Sequence, residues 1–400
     1  MDTSAQRPVT PTRIWTPDEL GGLDHGLSEE DLAMRASVRE FLAEHARPHI
    51  GQWYVAGELP VRELARELGR LGVLGMHLEG HGCAGASATA YGLVCTEVEA
   101  VDSGLRSLVS VQGSLAMHAI HAYGSTEQQE QWLPGMARGE LVGCFGLTEP
   151  DHGSDPGSMR TRARRDGGDW VLDGTKMWIT NGSVADVAVV WAQTDEGVRG
   201  FVVPTDTAGF SAPLMTGKLS LRASVTSELV LDGVRLPAAA VLPGAEGLRG
   251  PLGCLTEARF GIVFGAMGAA RDALETAISY AGTRHQFGRP IAGFQLTQAK
   301  LADLTADYVT GMLLARQLGR LKDAGLLRPQ QVSLGKLTNA RRALAVAREC
   351  RSVLGANGIS ADYSPLRHAA NLESVVTYEG TTEMHTLVVG QALTGQQAFR

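Results

Sequence analysis

The chain has 400 residues and a formal net charge of −7, with 44% hydrophobic and 20% charged residues. This is the balance of a globular protein too long for one small core, so two or three subdomains are expected. The acidic excess gives nucleic acid no electrostatic footing, and no apolar run approaches the ~18 residues of a membrane-inserted span.

Five cysteines (Cys83, Cys95, Cys144, Cys254, Cys350) are odd in number and lack CxxC or Cys/His pairing, so they read as buried thiols of a reducing compartment. The start, Met1–Arg13, lacks the apolar core of a secretory signal, and together these features predict a cytoplasmic protein.

In chain order, Met1–Gly26 is rich in Pro, Thr and Gly and reads as a loose arm. A helix is expected over 28–46, capped by Ser28, with Glu29, Glu30 and Asp31 in the first turn where negative charge suits the helix dipole. A second fits 61–74, with Leu64, Leu68, Leu71 and Leu74 on one face, and a glycine-rich connection over 80–85 leads into a third over 89–100. The segment 97–107 then gathers acids and Arg106 around a Ser-Gly turn, ahead of an apolar helix over 108–123. Spacing leaves two readings. One is a surface ion pair at a helix junction, worth little. The other is an arginine aimed into a pocket to hold a substrate carboxylate, balanced by Glu99 when the pocket is empty.

At Glu140 the period changes. Strand-like runs follow at 141–147, 158–164, 170–172, 176–180, 187–193, 200–204 and 227–231, with Asp166–Asp169 and Asp173-Gly174 as hairpin turns. They predict a β-barrel or sandwich. Its loop Thr148–Asp155 either offers N–H groups and hydroxyls to a carbonyl or phosphate oxygen or is an ordinary Pro/Gly turn. In the run 176–182, alternation puts Trp178 and Thr180 on one face, for a planar heterocycle or as core.

After Gly247 helical periodicity returns over 259–281, 294–324 and 329–354, the last started by Pro329 and stopped by Gly355, with a shorter element from Asn371. These predict an antiparallel four-helix bundle. A cationic turn, Arg284–Pro290, suits an anion or plain solvent. With no P-loop or GxGxxG, a nucleotide cofactor would not sit in a Rossmann crevice.

Near the C-terminus a carboxylate interrupts the apolar run of Leu372, Val375 and Val376 in Thr377-Tyr378-Glu379-Gly380-Thr381. Facing water, Glu379 is merely a helix-terminal residue beside a capping glycine. Buried, it must be paired or take up a proton, and a raised pKa suits a general base near neutral pH.

The expected architecture is α+β and multidomain: an arm over 1–26, an N-terminal helical domain over 27–139, a middle β-barrel or sandwich domain over 140–245 and a C-terminal four-helix bundle over 246–400.

Taken together these segments resemble the acyl-CoA dehydrogenase family over about 27–399. The carriers are Cys144–Pro150, Lys176–Gly182, Arg284–Gly288 and Tyr378–Thr381. Within the family the likeness is greatest to the glutaryl-CoA dehydrogenases, on Glu99–Ser107, Ser220–Ser224 and Asn371–Glu373. Ala356, Val376, Thr382-Glu383, Leu105 and Phe264 depart from that group's pattern.

The resemblance implies FAD, held by Phe145, Leu147, Thr148, Gly153, Ser154, Trp178, Ile179, Thr180, Thr381 and Glu383. Arg284, Phe287, Gln295, Leu354 and Gly355 would complete the FAD site from a neighbouring subunit. It implies Glu379 as the base that removes the proton α to a thioester, with the β-hydrogen leaving as hydride to the flavin. Arg106, Glu99, Ser110, Tyr378, Arg259 and Ser154 would bind the acyl-CoA. Arg106 would select a carboxylate-terminated chain, so that glutaryl-CoA is oxidised and decarboxylated to crotonyl-CoA and CO₂. Implied partners are an electron-transfer flavoprotein and copies of the same chain, as a dimer of dimers. The alternatives are another dicarboxylic or carrier-bound acyl thioester without decarboxylation, or a flavin oxidase on this scaffold.

Overall fold

The computed structural model describes residues 13–398. Residues 13–26 are not the loose arm expected over 1–26, whose first twelve residues lie outside those described. Thr16 and Glu19 form a capping box that starts helix α1 (Pro17–Gly21), with Pro17 at its first position. The Tyr308 hydroxyl donates to Asp18 at 2.5 Å, and Arg316 donates to the Leu23 and His25 carbonyls, fastening this segment to the bundle. The helix signal was present but submerged in a Pro/Gly-rich composition.

Helix α2 (Glu29–His45) starts at Ser28 as expected, through a capping box with Asp31. Then come α3 (Ile50–Ala56), α4 (Val61–Arg70) and α5 (Ala88–Val101), whose residues are all buried. The single helix expected over 108–123 is instead the end of α6 (Ser103–Ser110), a π-helical stretch Val111–Met117 and α7 (His118–Tyr123). An unexpected α8 (Thr126–Ala137), capped by Ser125, completes the N-terminal layer.

The middle region is one curled seven-stranded sheet of β1 (Gly143–Gly146), β2 (Arg162–Asp166), β3 (Asp169–Thr180), β4 (Val187–Thr194), β5 (Gly197–Pro204), β6 (Phe210–Ser211) and β7 (Thr226–Leu236). The order is β1-β4-β2-β3-β7-β6, with β5 paired to β4. The hairpin at Asp166–Asp169 forms as expected, but Asp173-Gly174 is no turn. There β3 runs straight on with a register shift against β7, so Asp-Gly marks a bulge and two expected strands are one.

Helix α9 (Arg249–Thr283) is the spine of the C-terminal region. It packs along α5 on one side and along α11 (Pro329–Val353) on another, with α10 (Gln295–Asp323) and α12 (Ser364–Val375) beside them and α13 (Thr382–Thr394) against α11. Close approach to α5 requires small residues. A Cβ on Gly268 would lie 2.0 Å from the Thr96 carbonyl oxygen, and one on Gly265 2.1 Å from a Glu99 carboxylate oxygen. The cationic turn after α9 is a short ribbon, β8 (His285–Gln286) with β9 (Arg289–Pro290). Among the described residues no helix is long and apolar enough to cross a membrane.

Candidate active site

The site begins at a helix break. Asp102 takes an extended conformation (φ −166°), ends α5 and caps α6, accepting from the Gly104 N–H at 2.8 Å. Asn371 Nδ2 donates to the other oxygen of Asp102 at 2.8 Å, and Arg367 lies 3.3 Å away, so the break is fixed from α12. Gly104 is obligatory there, because a Cβ would sit 2.1 Å from the Ala223 carbonyl oxygen.

The redirected α6 brings Arg106 back beneath Glu99. Arg106 Nε donates to Glu99 at 2.6 Å, and Ser103 Oγ donates to the other carboxylate oxygen at 2.8 Å. Arg106 Nη2 donates to the Tyr378 hydroxyl. Arg106 and Glu99 are buried, and burial opposes the arginine's charge, yet Tyr378 and Glu99 outweigh it and hold the guanidinium above its ordinary pKa. Two buried donors at this end have no partner: Arg106 Nη1 and Ser110 Oγ. The ion pair is therefore internal, not the surface pair that spacing allowed.

Between α12 and α13 the chain makes the turn that carries Glu379. Both Glu379 and Gly380 take the left-handed region, at φ +52° and +96°. Gly380 has a second reason to be glycine, since a Cβ would lie 2.8 Å from His385 Nε2. Thr381 caps α13 through the Met384 N–H. Glu379 Oε2 is buried without a hydrogen-bond partner. Burial raises the Glu379 pKa, opposed by the positive charges of Arg106, Arg259 and Lys336. Arg259 Nε donates to the Glu379 backbone oxygen at 2.6 Å.

Both groups open onto one cavity of about 1370 Å³ between the sheet and the bundle. Its sheet wall includes Phe145, Leu147, Thr148, Gly153 and Ser154 from the end of β1 and the following loop, and Trp178, Ile179 and Thr180 from β3. Simple alternation predicted that Ile179 would point away from Trp178 and Thr180. The β3–β7 register slips between Lys176 and Ile179, Trp178 takes φ +63°, and its indole stays 56% exposed on the cavity. A large half-bare ring in such a cavity fits a planar partner, such as the flavin that the resemblance implies.

The loop is braced from beneath. Lys176 Nζ donates to the Leu147 carbonyl at 3.1 Å and to Glu149 at 2.8 Å, while Glu149 accepts from the Arg160 and Thr161 N–H groups at 2.6 and 2.9 Å. Burial works against the Glu149 charge, but these donors draw its pKa down to about 2. Sequence reasoning did not find this pair, nor Lys336 and His385 at the Glu379 turn. Of these, Lys176 alone is a charge set in a strand-like run, a signal of the kind that exposed Glu379.

Arg106, Ser110, Tyr378, Arg259, Ser154 and Thr381 thus meet at one cavity with Glu379, and Glu99 supports them from behind. Arg284, Phe287, Gln295, Leu354, Gly355 and Glu383 do not line it. Phe287 is 93% exposed with φ +51°, and Glu383 lies in the exposed first turn of α13.

The three-part fold with this cavity between sheet and bundle defines the class. Models described as the N-terminal, middle and C-terminal domains of acyl-CoA dehydrogenase match residues 28–140, 144–234 and 245–394, and the chain belongs to the acyl-CoA dehydrogenase family. More particularly, it is similar to a glutaryl-CoA dehydrogenase from Mycobacterium smegmatis, at 68% identity and a TM-score of 0.95 over 96% of this chain and 100% of that one. A glutaryl-CoA dehydrogenase structure from the same organism, in complex with FADH2, shares 62% identity at a TM-score of 0.96, over 97% of this chain and 100% of that one. The mitochondrial short-chain specific acyl-CoA dehydrogenase of Bos taurus is 33% identical over 91% of this chain and 90% of its own length.

Proposed function

We propose that the protein oxidises and decarboxylates glutaryl-CoA to crotonyl-CoA and CO₂ with FAD as its cofactor. The observation that carries the substrate is the pair of unpartnered buried donors, Arg106 Nη1 and Ser110 Oγ, at the cavity end beside Glu99 and Tyr378. A buried donor without a partner costs about 1–3 kcal/mol, more when charged. A plain alkyl chain would leave that cost in place, whereas a terminal carboxylate removes it with a charge-assisted hydrogen bond of about 1.5–3 kcal/mol.

Glu379, with a raised pKa and an unpartnered oxygen, takes the α-proton of the thioester. Its own backbone N–H finds no acceptor among the described residues and is free to donate to the developing thioester oxyanion. When bound, FAD supplies the two-electron acceptor for the β-hydrogen. Loss of the γ-carboxylate as CO₂ leaves its bonding pair delocalised into the thioester as a dienolate. The proton held by Glu379 is then returned to the γ-carbon. Trp178, Thr148 and Thr180 would hold the flavin ring, and Ser154 the pyrophosphate.

Arg284, Phe287, Gln295, Leu354 and Gly355 stand outside this chain's cavity, as groups donated to a neighbouring copy's FAD would. The reading therefore includes a homo-oligomer, a dimer of dimers, in the cytoplasm, passing electrons to an electron-transfer flavoprotein. Glu383 is assigned to the same cofactor only through the family likeness.

The test is to incubate the purified protein anaerobically with glutaryl-CoA and an artificial electron acceptor, then weigh the acyl-CoA product. Crotonyl-CoA is expected. Glutaconyl-CoA would remove the decarboxylation, and unchanged substrate over a yellow, reducible protein would remove glutaryl-CoA as substrate.

A further inference from the structure

The turn that carries Glu379 has two consecutive residues in the left-handed region, the first a glutamate, and so needs outside help to keep its shape. Each of its three carbonyl groups is held by a cation from the bundle. Lys336 Nζ donates to the Tyr378 oxygen at 2.7 Å and to the Gly380 oxygen at 2.6 Å, and Arg259 Nε takes the Glu379 oxygen between them. Lys336 is 1% exposed on α11, one helical turn beyond Ser333, which lines the cavity. A lysine interior to a helical bundle is costly, and among the described residues no carboxylate is bonded to it to justify its burial as a structural ion pair. Its bonds go to the backbone on either side of the base.

We propose that Lys336 is a positioning residue for the reaction: it clamps the carbonyls flanking Glu379, fixing the strained turn, and places a positive charge beside the carboxylate. This rests on the reading of Glu379 as the base. The other groups facing Glu379 are Arg106 from α6, Arg259 from α9, Glu99 from α5, Tyr378 in the turn and His385 from α13. Arg106 is engaged by Glu99 and Tyr378, and Arg259 by the backbone. His385 is kept neutral, its pKa pushed down to about 3 by burial and by the charges of Lys336 and Arg259. Burial also lowers Lys336, to about 7, against the pull of Glu379. A neutral amine keeps two N–H groups, so the clamp survives deprotonation of Lys336 while its charge does not.

Both roles are open to substitution. K336M removes clamp and charge, and K336R keeps a charge and donors. Each is compared with wild type and E379Q in the FAD-loaded protein, by the pH dependence of anaerobic flavin bleaching with glutaryl-CoA. Without substrate, the wild-type-minus-E379Q infrared difference gives the titration of the Glu379 carboxyl, and the same difference is taken for K336M. Loss of a neighbouring positive charge raises a carboxyl pKa, so in K336M both the acid limb and the carboxyl titration should move to higher pH by about one unit. That is about a tenfold loss of rate on the acid side. K336R should restore the limb.

A merely structural lysine would change the melting temperature and leave the limb in place. An unmoved limb and carboxyl titration in a folded, yellow K336M overturns the inference while E379Q remains inactive. If K336M does not fold, K336Q, neutral but still a donor, must show the same shift. An E379Q that still bleaches the flavin overturns the base assignment itself, a failure visible before any Lys336 variant is measured.

Discussion

Glu97 and Glu99 stand two residues apart on the same buried helix, and each faces an arginine, but their surroundings differ in one respect. Glu97 accepts four bonds, from Arg39 Nε and Nη2 at 2.9 and 2.8 Å and from Arg271 Nη1 and Nη2 at 2.8 and 2.7 Å. Burial disfavours its charge, yet Arg271 and then Arg39 bring its pKa down to about 2. Glu99 has one arginine and one serine, and that arginine, which lines the cavity, keeps an unpartnered Nη1. The first cluster is closed and joins α2, α5 and α9. The second is completed only by something that enters. A buried charge alone does not mark a site; one with bonding capacity left over in the lining of a large cavity does.

Substitutions should divide along the same line. The largest effect is expected for E379Q, which removes the base while keeping nearly the same shape. Turnover should fall by about 10²–10⁴, the range of general-base catalysis, with the yellow colour retained; steady-state assay beside an absorption spectrum checks both.

Next is E97Q in the closed cluster. It leaves the buried Arg271, and with it the half-exposed Arg39, short of a counter-charge, and unfolding stability should drop by about 3–5 kcal/mol in a denaturant titration, with the preference among acyl chains unchanged. The pH dependence follows from the same group. Because the folded pKa of Glu97 lies below its ordinary value, its contribution is present above that value and is lost as pH falls towards about 2. The acid arm of a melting-temperature profile should therefore be flatter in E97Q than in wild type.

Smallest is G265A. Its Cβ would meet Glu99 at 2.1 Å and Arg106 Cδ at 2.8 Å, so it should loosen the open cluster at about 1–3 kcal/mol of overpacking and raise KM for glutaryl-CoA more than for butyryl-CoA.

Much of this was legible in sequence because local chemistry and global fold agree there. Ser28 followed by acids gave a helix start, Pro329 and Gly355 bracketed α11, and Glu379 stood out as a charge inside an apolar run. The losses came where one residue's backbone overrides periodicity. Asp173-Gly174 has turn composition but serves a bulge, and Trp178 leaves strand alternation through a positive φ. Asp102 ends one helix and starts another; the Ser-Gly pair after it marks the junction in sequence, but the contacts from Asn371 and Arg367 that fix its direction come from far along the chain. Lys336 carried no local signal, since its partners are carbonyls more than forty positions away in the chain.

The central claim is that the unpartnered guanidinium nitrogen of Arg106 selects a carboxylate-terminated acyl chain. The most direct test is the ratio of kcat/KM for glutaryl-CoA to that for butyryl-CoA, in wild type and in R106A. Loss of a charge-assisted bond to the substrate should lower that ratio by about a hundredfold, mostly through KM for glutaryl-CoA. An equal loss on both substrates would contradict the account, because Arg106 would then support the fold of the cavity and not the choice of what fills it.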